Sequence, residues 1–232
     1  MSSSPGASSA RTQLTALAEA GFPAPWRHAR GEFSGAARPA AVLILFGVLD
    51  GLPSDHHAQA EAVRDDLDVL LLARATTLRS HAGQVAFPGG RADDGESMVE
   101  AALREAEEET GLDPSGVEVL GEFDPLPMPV SNHVVTPVLG WWAKPTPVGV
   151  VDEAESSHVF RAPVADLLDP ASRVTVVARD GHRTYRGPGF QFSDGTTTHL
   201  VWGFTGGILD ALFDALGWTE EWDRTRELEL RR

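Results

Sequence analysis

Residues 90–112 constrain this chain more than any other stretch: Gly-Arg-Ala-Asp-Asp-Gly-Glu-Ser-Met-Val-Glu-Ala-Ala-Leu-Arg-Glu-Ala-Glu-Glu-Glu-Thr-Gly-Leu. Ser97-Met98-Val99-Glu100 has the form of a capping box, so the spacing predicts a helix starting there. Gly111 followed by Pro114 is a stop signal, which leaves room for roughly three to four turns. At about 100° per residue, Glu105, Glu108 and Glu109 share one arc of that helix. Val99, Ala102, Leu103 and Ala106 fall on an adjoining arc able to pack on a sheet. Glu100 and Glu107 point towards solvent.

Like charges at helical contact spacing repel, so three carboxylates on one arc need a reason. A hard divalent cation supplies one, because Mg²⁺ takes oxygen ligands and shares its coordination sphere with phosphates. Arg104, four residues before Glu108, can orient or partly neutralise the cluster. A solvated acidic face is the usual meaning of a glutamate run. Here Gly90, Glu96, Arg104 and Gly111 stand in register with the run, which favours a metal site.

That register is G-x5-E-x7-R-E-U-x-E-E-x-G-U, where U is aliphatic. Every fixed position is matched, with Ala106 a small occupant of its U position. The chain thus resembles the Nudix hydrolases. The resemblance implies an α/β fold, a Nudix-type α/β/α sandwich with a mixed central sheet. It also implies metal-dependent hydrolysis of a nucleoside diphosphate linked to another group, with Mg²⁺ or Mn²⁺ as cofactor. Glu105, Glu108, Glu109 and the Gly90 carbonyl would be the metal ligands.

A narrower resemblance lies just upstream. Leu71-Leu72-Ala73-Arg74-Ala75, then Leu78 to Gly90 with Arg79, Gly83 and Phe87-Pro88-Gly89-Gly90, is similar to the coenzyme A pyrophosphatase subgroup pattern L-L-x-x-R-[SA]-x3-R-x3-G-x3-F-P-G-G. This implies coenzyme A or an acyl ester as substrate, split to 3′,5′-ADP and 4′-phosphopantetheine. Guanidinium binds phosphate through a planar fork, so Arg74 and Arg79 are candidate phosphate contacts. The plainer alternative is pairing with surface acids, which outnumber basic residues 34 to 19. Gly83 and Gly89 allow close backbone turns, with or without a ligand. His81 can touch the diphosphate or be satisfied by a neighbouring backbone group. His133, in the turn from Pro129, can line the substrate pocket or stand exposed. The base that deprotonates the attacking water is open between Glu105 and the loop acids Glu153 and Glu155. Glu155 is favoured, because it precedes Val159-Phe160 at a spacing similar to relatives whose loop glutamate approaches the metals; a solvated loop is the alternative. Other Nudix substrates such as ADP-ribose or NADH, and a regulator that binds without cleaving, stay in play.

Composition narrows the partners. The net charge is −15, which argues against a nucleic-acid surface. There is no cysteine, hence neither disulfide framework nor thiol nucleophile. No apolar run reaches membrane-spanning length, and the Ser/Gly/Ala-rich start lacks the marks of a signal peptide. The expectation is a cytoplasmic enzyme of small nucleotide-type molecules, with no nucleic-acid or membrane partner and room for a homodimer.

Along the chain, residues 1–10 read as a disordered tail and 11–218 as one domain with an N-terminal lead-in over 11–39. Residues 219–232 read as a charged extension continuing as a solvated helix. Strands are expected at 40–48, 68–73, 85–87, 117–122, 134–142 and 159–160. A brief helix follows at 162–168, then a hairpin of 174–178 and 184–185, and an apolar helix at 206–216. The acidic, turn-rich stretch 51–66 with His56 and His57 reads as a long loop.

Overall fold

The apolar run at 40–48 becomes the middle strand of a sheet that is covered on both faces. A computed structural model describes residues 5–21, 33, 35–48, 54–63, 66–75, 83–129, 131–180, 183–193 and 197–231. Its elements begin with α1 (Pro5–Ala20), β1 (Arg38–Val48), β2 (Leu67–Arg74), β3 (Val85–Ala86), β4 (Gly89–Arg91) and α2 (Met98–Thr110). There follow β5 (Val117–Glu122), β6 (Leu126–Met128), β7 (His133–Trp142), β8 (Ser156–Pro163) and α3 (Val164–Leu168). The chain ends with β9 (Arg173–Asp180), β10 (Arg183–Ser193), β11 (Thr198–Val201), α4 (Gly203–Leu216) and β12 (Glu227–Arg231).

The larger sheet is mixed: β7 runs parallel to β1, while β2, β4, β5, β6 and β8 join by antiparallel pairs. Alternation along β1 divides the core, since successive side chains leave opposite faces. Ala41, Leu43 and Leu45 pack with Ala101, Ala102 and Ala106 of α2. Ile44 and Phe46 pack on the other face, with Ala10 and Leu14 of α1, Ile208, Leu209, Leu212 and Phe213 of α4, and Phe190 and Phe192 of β10. Helices thus flank both faces of a mixed sheet, as expected. A smaller sheet in the order β11-β10-β9-β12 adds to the second face.

The opening that creates a site comes from a divergence. β1 and β2 pair only over Phe46–Val48 and Leu67–Val69. Beyond that they splay, and residues 85–91 enter the gap, with β3 on β2 and β4 on β1. Pro88 has no N–H to offer, and its carbonyl accepts from Leu43 N at 2.8 Å. Gly89 is required by proximity, because a Cβ there would overlap the Ala41 carbonyl and the Val42 backbone.

The structure corrects several expectations. The first helix starts at Pro5, so residues 5–10 are helical rather than a loose tail; buried Ala10 and Leu14 supply the tertiary contact that a short helix needs. Residues 219–231 are not a solvated helix. Trp222 and Glu220 are buried, and Glu-Leu-Glu-Leu-Arg at 227–231 is β12, parallel to β9. Its alternation of exposed Glu227 and Glu229 with half-buried Leu228 and Leu230 is a period of two, which is a strand signal. The hairpin is longer than expected, because β10 continues through Gly187-Pro188-Gly189 to Ser193. The 54–63 stretch is strapped down: Glu220 accepts from Gln59 N and Nε2 and lies 3.0 Å from His56 Nε2.

Candidate active site

The helix that carries the acidic run is built as its sequence requires. Ser97 Oγ accepts from Glu100 N at 3.2 Å, and Glu100 Oε2 accepts from Ser97 N at 2.9 Å. At the other end Gly111, at φ 70°, donates its N–H to Glu107 O at 2.8 Å. Only a residue tolerant of left-handed backbone fits there. Ala101, Ala102 and Ala106 seat the helix so that Glu105 and Glu109 turn towards β4, while Glu100, Glu107 and Glu108 are exposed, Glu108 being tied to the others through Arg104.

Glu105 lies against Gly90, where any Cβ would overlap its carboxylate. Glu109, 8 % exposed, accepts from Gly89 N at 2.9 Å. The two glycines thus bring main chain into contact with both carboxylates. Arg104 ties the outer part together. Its Nε and Nη2 donate to Glu96 at 2.8 and 3.0 Å, and Nη2 also donates to the Arg91 carbonyl at 3.0 Å. Its Nη1 reaches Glu105 and Glu108, both at 3.1 Å. Glu96 is held in turn by Asp93 N at 2.9 Å. Sequence reading placed Glu96 in the motif without a task; the structure gives it one, as the anchor of Arg104.

Burial pushes the Glu109 carboxyl up to about 7; the Gly89 N–H and Arg74 oppose the rise, and Glu105 and Glu155 add to it. Glu105 is also raised, first by burial and then by Glu108 and Glu155, against the pull of Arg104. Glu155, exposed on the loop before β8, therefore adds its charge to both buried Glu109 and half-buried Glu105. Its carbonyl accepts from Ala75 N at 2.9 Å, which fixes the loop beside the end of β2.

Arg74 closes this end of β2 at a β-bulge, and its backbone is bridged to Gln84 and Gly83. It is close enough to Glu109 to lower that group's pKa, and among the described residues its buried Nε has no hydrogen-bond partner. Arg79 and His81 fall outside the described residues. His133 begins β7, away from the acids and beside Arg38 and Arg91. The structure thus gathers Arg74, Gly89, Gly90, Arg104, Glu105, Glu108, Glu109 and Glu155, and sets His133 apart.

The donor set has the chemistry of a hard-cation site, carboxylate and carbonyl oxygens. A buried and a half-buried carboxylate with raised proton affinity are what a nearby cation would relieve. Among the described residues, no three acids or imidazoles converge in a ready-made cage, because Arg104 and Gly89 hold them individually.

The NUDIX domain family matches residues 55–186. This chain belongs to the Nudix family. It is 39% identical over 171 residues to a protein of Escherichia coli O7:K1 named uncharacterized Nudix hydrolase NudL, covering 70% of this chain and 84% of that one. A Shigella flexneri protein of the same name is 38% identical over 175 residues, covering 72% and 86%. Among solved structures, a MutT/nudix family protein from Enterococcus faecalis aligns with a TM-score of 0.44 at 18% identity, over 82% of this chain and 65% of that one. A C. elegans Ap4A hydrolase binary complex aligns with a TM-score of 0.41 at 20% identity, over 54% and 80%. The chain is a Nudix pyrophosphohydrolase, of a family that acts on pyrophosphate-containing, nucleotide-derived substrates with divalent metal ions. No described helix is long and apolar enough to cross a membrane.

Proposed function

We propose that this Nudix hydrolase cleaves the diphosphate of coenzyme A or an acyl ester, giving 3′,5′-ADP and (acyl) 4′-phosphopantetheine. One observation carries the catalytic part of this reading: Glu105 and Glu109 lie half-buried or buried against the Gly89-Gly90 backbone, with Glu155 acting on both across the opening. Glu105, Glu108, Glu109 and the Gly90 carbonyl would hold Mg²⁺ or Mn²⁺. Such an ion lowers the pKa of bound water and neutralises charge on the leaving phosphate.

The remaining work falls to the chain. Arg104, anchored by Glu96, sets the carboxylates of Glu105 and Glu108. Glu155 takes the proton of the attacking water, a role its exposed position allows without moving the buried acids. The water oxygen bonds to one phosphorus as the bond from that phosphorus to the bridging oxygen breaks, and the bridging oxygen leaves with the other phosphate, so two phosphate monoesters are released. Arg74, whose buried Nε has no hydrogen-bond partner among the described residues, balances diphosphate charge. Gly89 admits the substrate close to the main chain, and Arg79 and His81 complete the phosphate contacts. The upstream Leu-Leu-Ala-Arg-Ala and Phe-Pro-Gly-Gly segments support coenzyme A over other diphosphates. We place the enzyme in the cytoplasm, acting as a single domain.

The test is incubation with Mg²⁺ or Mn²⁺ and coenzyme A, its acyl esters, ADP-ribose and NADH, with products identified by mass. Phosphopantetheine from coenzyme A, at a higher kcat/KM than any product of the other diphosphates, is expected. Preferential cleavage of ADP-ribose or NADH would overturn the substrate; no cleavage of any member would overturn the reading as an enzyme in favour of a binding role.

A further inference from the structure

The register of the large sheet gathers three basic side chains at one end of it. Arg38 opens β1 and pairs directly with His133, the first residue of β7. Two positions on, Ala40 pairs with Arg91, the last residue of β4. Residues two apart on a strand share a face, so Arg38, Arg91 and His133 leave the sheet on the same side. The turn before β7 is fastened to the same spot. Arg38 N donates to Asn132 O at 3.0 Å, Arg38 Nη2 to Ser131 O at 3.3 Å, and Asn132 Nδ2 to Ala36 O at 3.1 Å. Asn132 sits at φ 57°, a left-handed conformation that asparagine tolerates better than most residues.

Electrostatics agrees with the geometry. His133 is held below its ordinary value, first by burial and then by the charges of Arg38 and Arg91. In a chain with a net charge of −15, three basic groups facing one another are out of keeping with their surroundings. Mutual repulsion of this kind is relieved by an anion lying between the groups. The cluster leaves the opposite face of the sheet from the acidic site, one residue away along β4. Arg91 follows Gly90, which faces Glu105, so β4 presents its two sides to two different charges.

We propose that Arg38, Arg91 and His133 form an anion subsite for a phosphate monoester on the substrate, which in the reading above is the 3′-phosphate of coenzyme A. The assignment rests on that reading. Two guanidinium forks and an imidazole N–H suit a dianionic phosphate, whose three oxygens accept from several directions at once. The diphosphate would lie on the Glu105 side of β4 and the monoester on the Arg91 side.

The test pairs coenzyme A with its 3′-dephospho form. In the wild type kcat/KM should favour coenzyme A, and in Arg38→Ala/Arg91→Ala that ratio should fall about tenfold or more, chiefly through KM. Equal proportional losses on both substrates would overturn the subsite. A second measurement needs neither turnover nor a variant. Titrating the metal-free wild type with 3′,5′-ADP should shift the His133 imidazole signals in NMR, and 5′-AMP should shift them far less. No shift with 3′,5′-ADP would overturn the proposal, as would an equal shift with inorganic phosphate at the same ionic strength, which would mark a free-phosphate site. Failure to cleave coenzyme A would sink the substrate reading alone, because the titration still reports whether a 3′-phosphate binds here.

Discussion

Glu109 shows how far position changes a residue in this helix. Glu107 and Glu109 are two residues apart, yet one is exposed and the other accepts a hydrogen bond from Gly89 N inside the molecule. Glu109→Gln should therefore reduce turnover on the order of 10²-fold or more, while Glu107→Gln should leave kcat near wild type. Steady-state kinetics on the same diphosphate checks both; equal losses would refute the assignment of faces. Glu109 also makes a prediction about pH. Its folded pKa, about 7, exceeds its ordinary value, so the folded state holds the proton more tightly than the unfolded one. The stability this contributes is complete below the ordinary carboxylate range and is lost as pH rises through about 7. Melting temperatures of the metal-free protein should fall between pH 5 and 8, and fall less steeply in Glu109→Gln. Asp68, also pushed up to about 7 by burial despite Arg161 beside it, keeps part of the slope in that variant. In the proposed role of metal ligand Glu109 must be ionised, so stabilisation by added Mg²⁺ or Mn²⁺ should grow across the same window. Identical slopes in variant and wild type would remove Glu109 as a source.

At the scale of elements, α2 is the part most legible in advance. Its capping box and glycine stop are local signals found where the spacing put them, and the expected arc of Val99, Ala102, Leu103 and Ala106 packs on the sheet, joined by Ala101, which that arc did not include. Ser97→Ala should cost about 1 kcal/mol of stability in denaturant unfolding and leave the fold intact. The task of β4 is far less legible, because it depends on β1 and β2 parting company. Gly90→Ala would drive a methyl into the Glu105 carboxylate. It should abolish most activity while circular dichroism stays native, since β4 is short and lies beside the site rather than at the centre of the core. A fully active Gly90→Ala would mean that Glu105 is free to move away, and the packing described above would be wrong. The anchoring of Arg104 by Glu96 was hidden in another way: the motif marks both residues, but their meeting depends on the loop 91–97 folding back on the helix.

Across the whole molecule, the C-terminal stretch matters most to stability. Arg173 is fully buried with its guanidinium between the rings of Phe190 and Trp222, at 4.3 and 4.6 Å, and it pairs with Asp210 of α4. Trp222 therefore joins the final segment to both the smaller sheet and α4. Trp222→Ala should destabilise by about 3–5 kcal/mol, and removal of residues 219–232 should leave a protein that melts far below the wild type or fails to express in soluble form. A solvated extension would tolerate both changes, and unchanged melting temperatures would restore that view. The second sheet was only half visible in the sequence. The expected hairpin strand covers only 184–185, yet Gly187-Pro188-Gly189 go on to pair with Val174–Val176 because neighbouring strands supply what the local preference lacks.

The sequence by itself determined the helix α2, the mixed α/β class and the acidic run Glu105, Glu108 and Glu109 upon it, since those depend on spacing within a few turns of one segment. Tertiary structure alone decided that Gly89 and Gly90 meet two different glutamates, that the charge of Glu155 is felt by both, and that Arg38, Arg91 and His133 share one face of the sheet. Those meetings are fixed by strand register and by the divergence of β1 from β2, and contacts between residues far apart in the chain leave no periodic trace in the residues that make them.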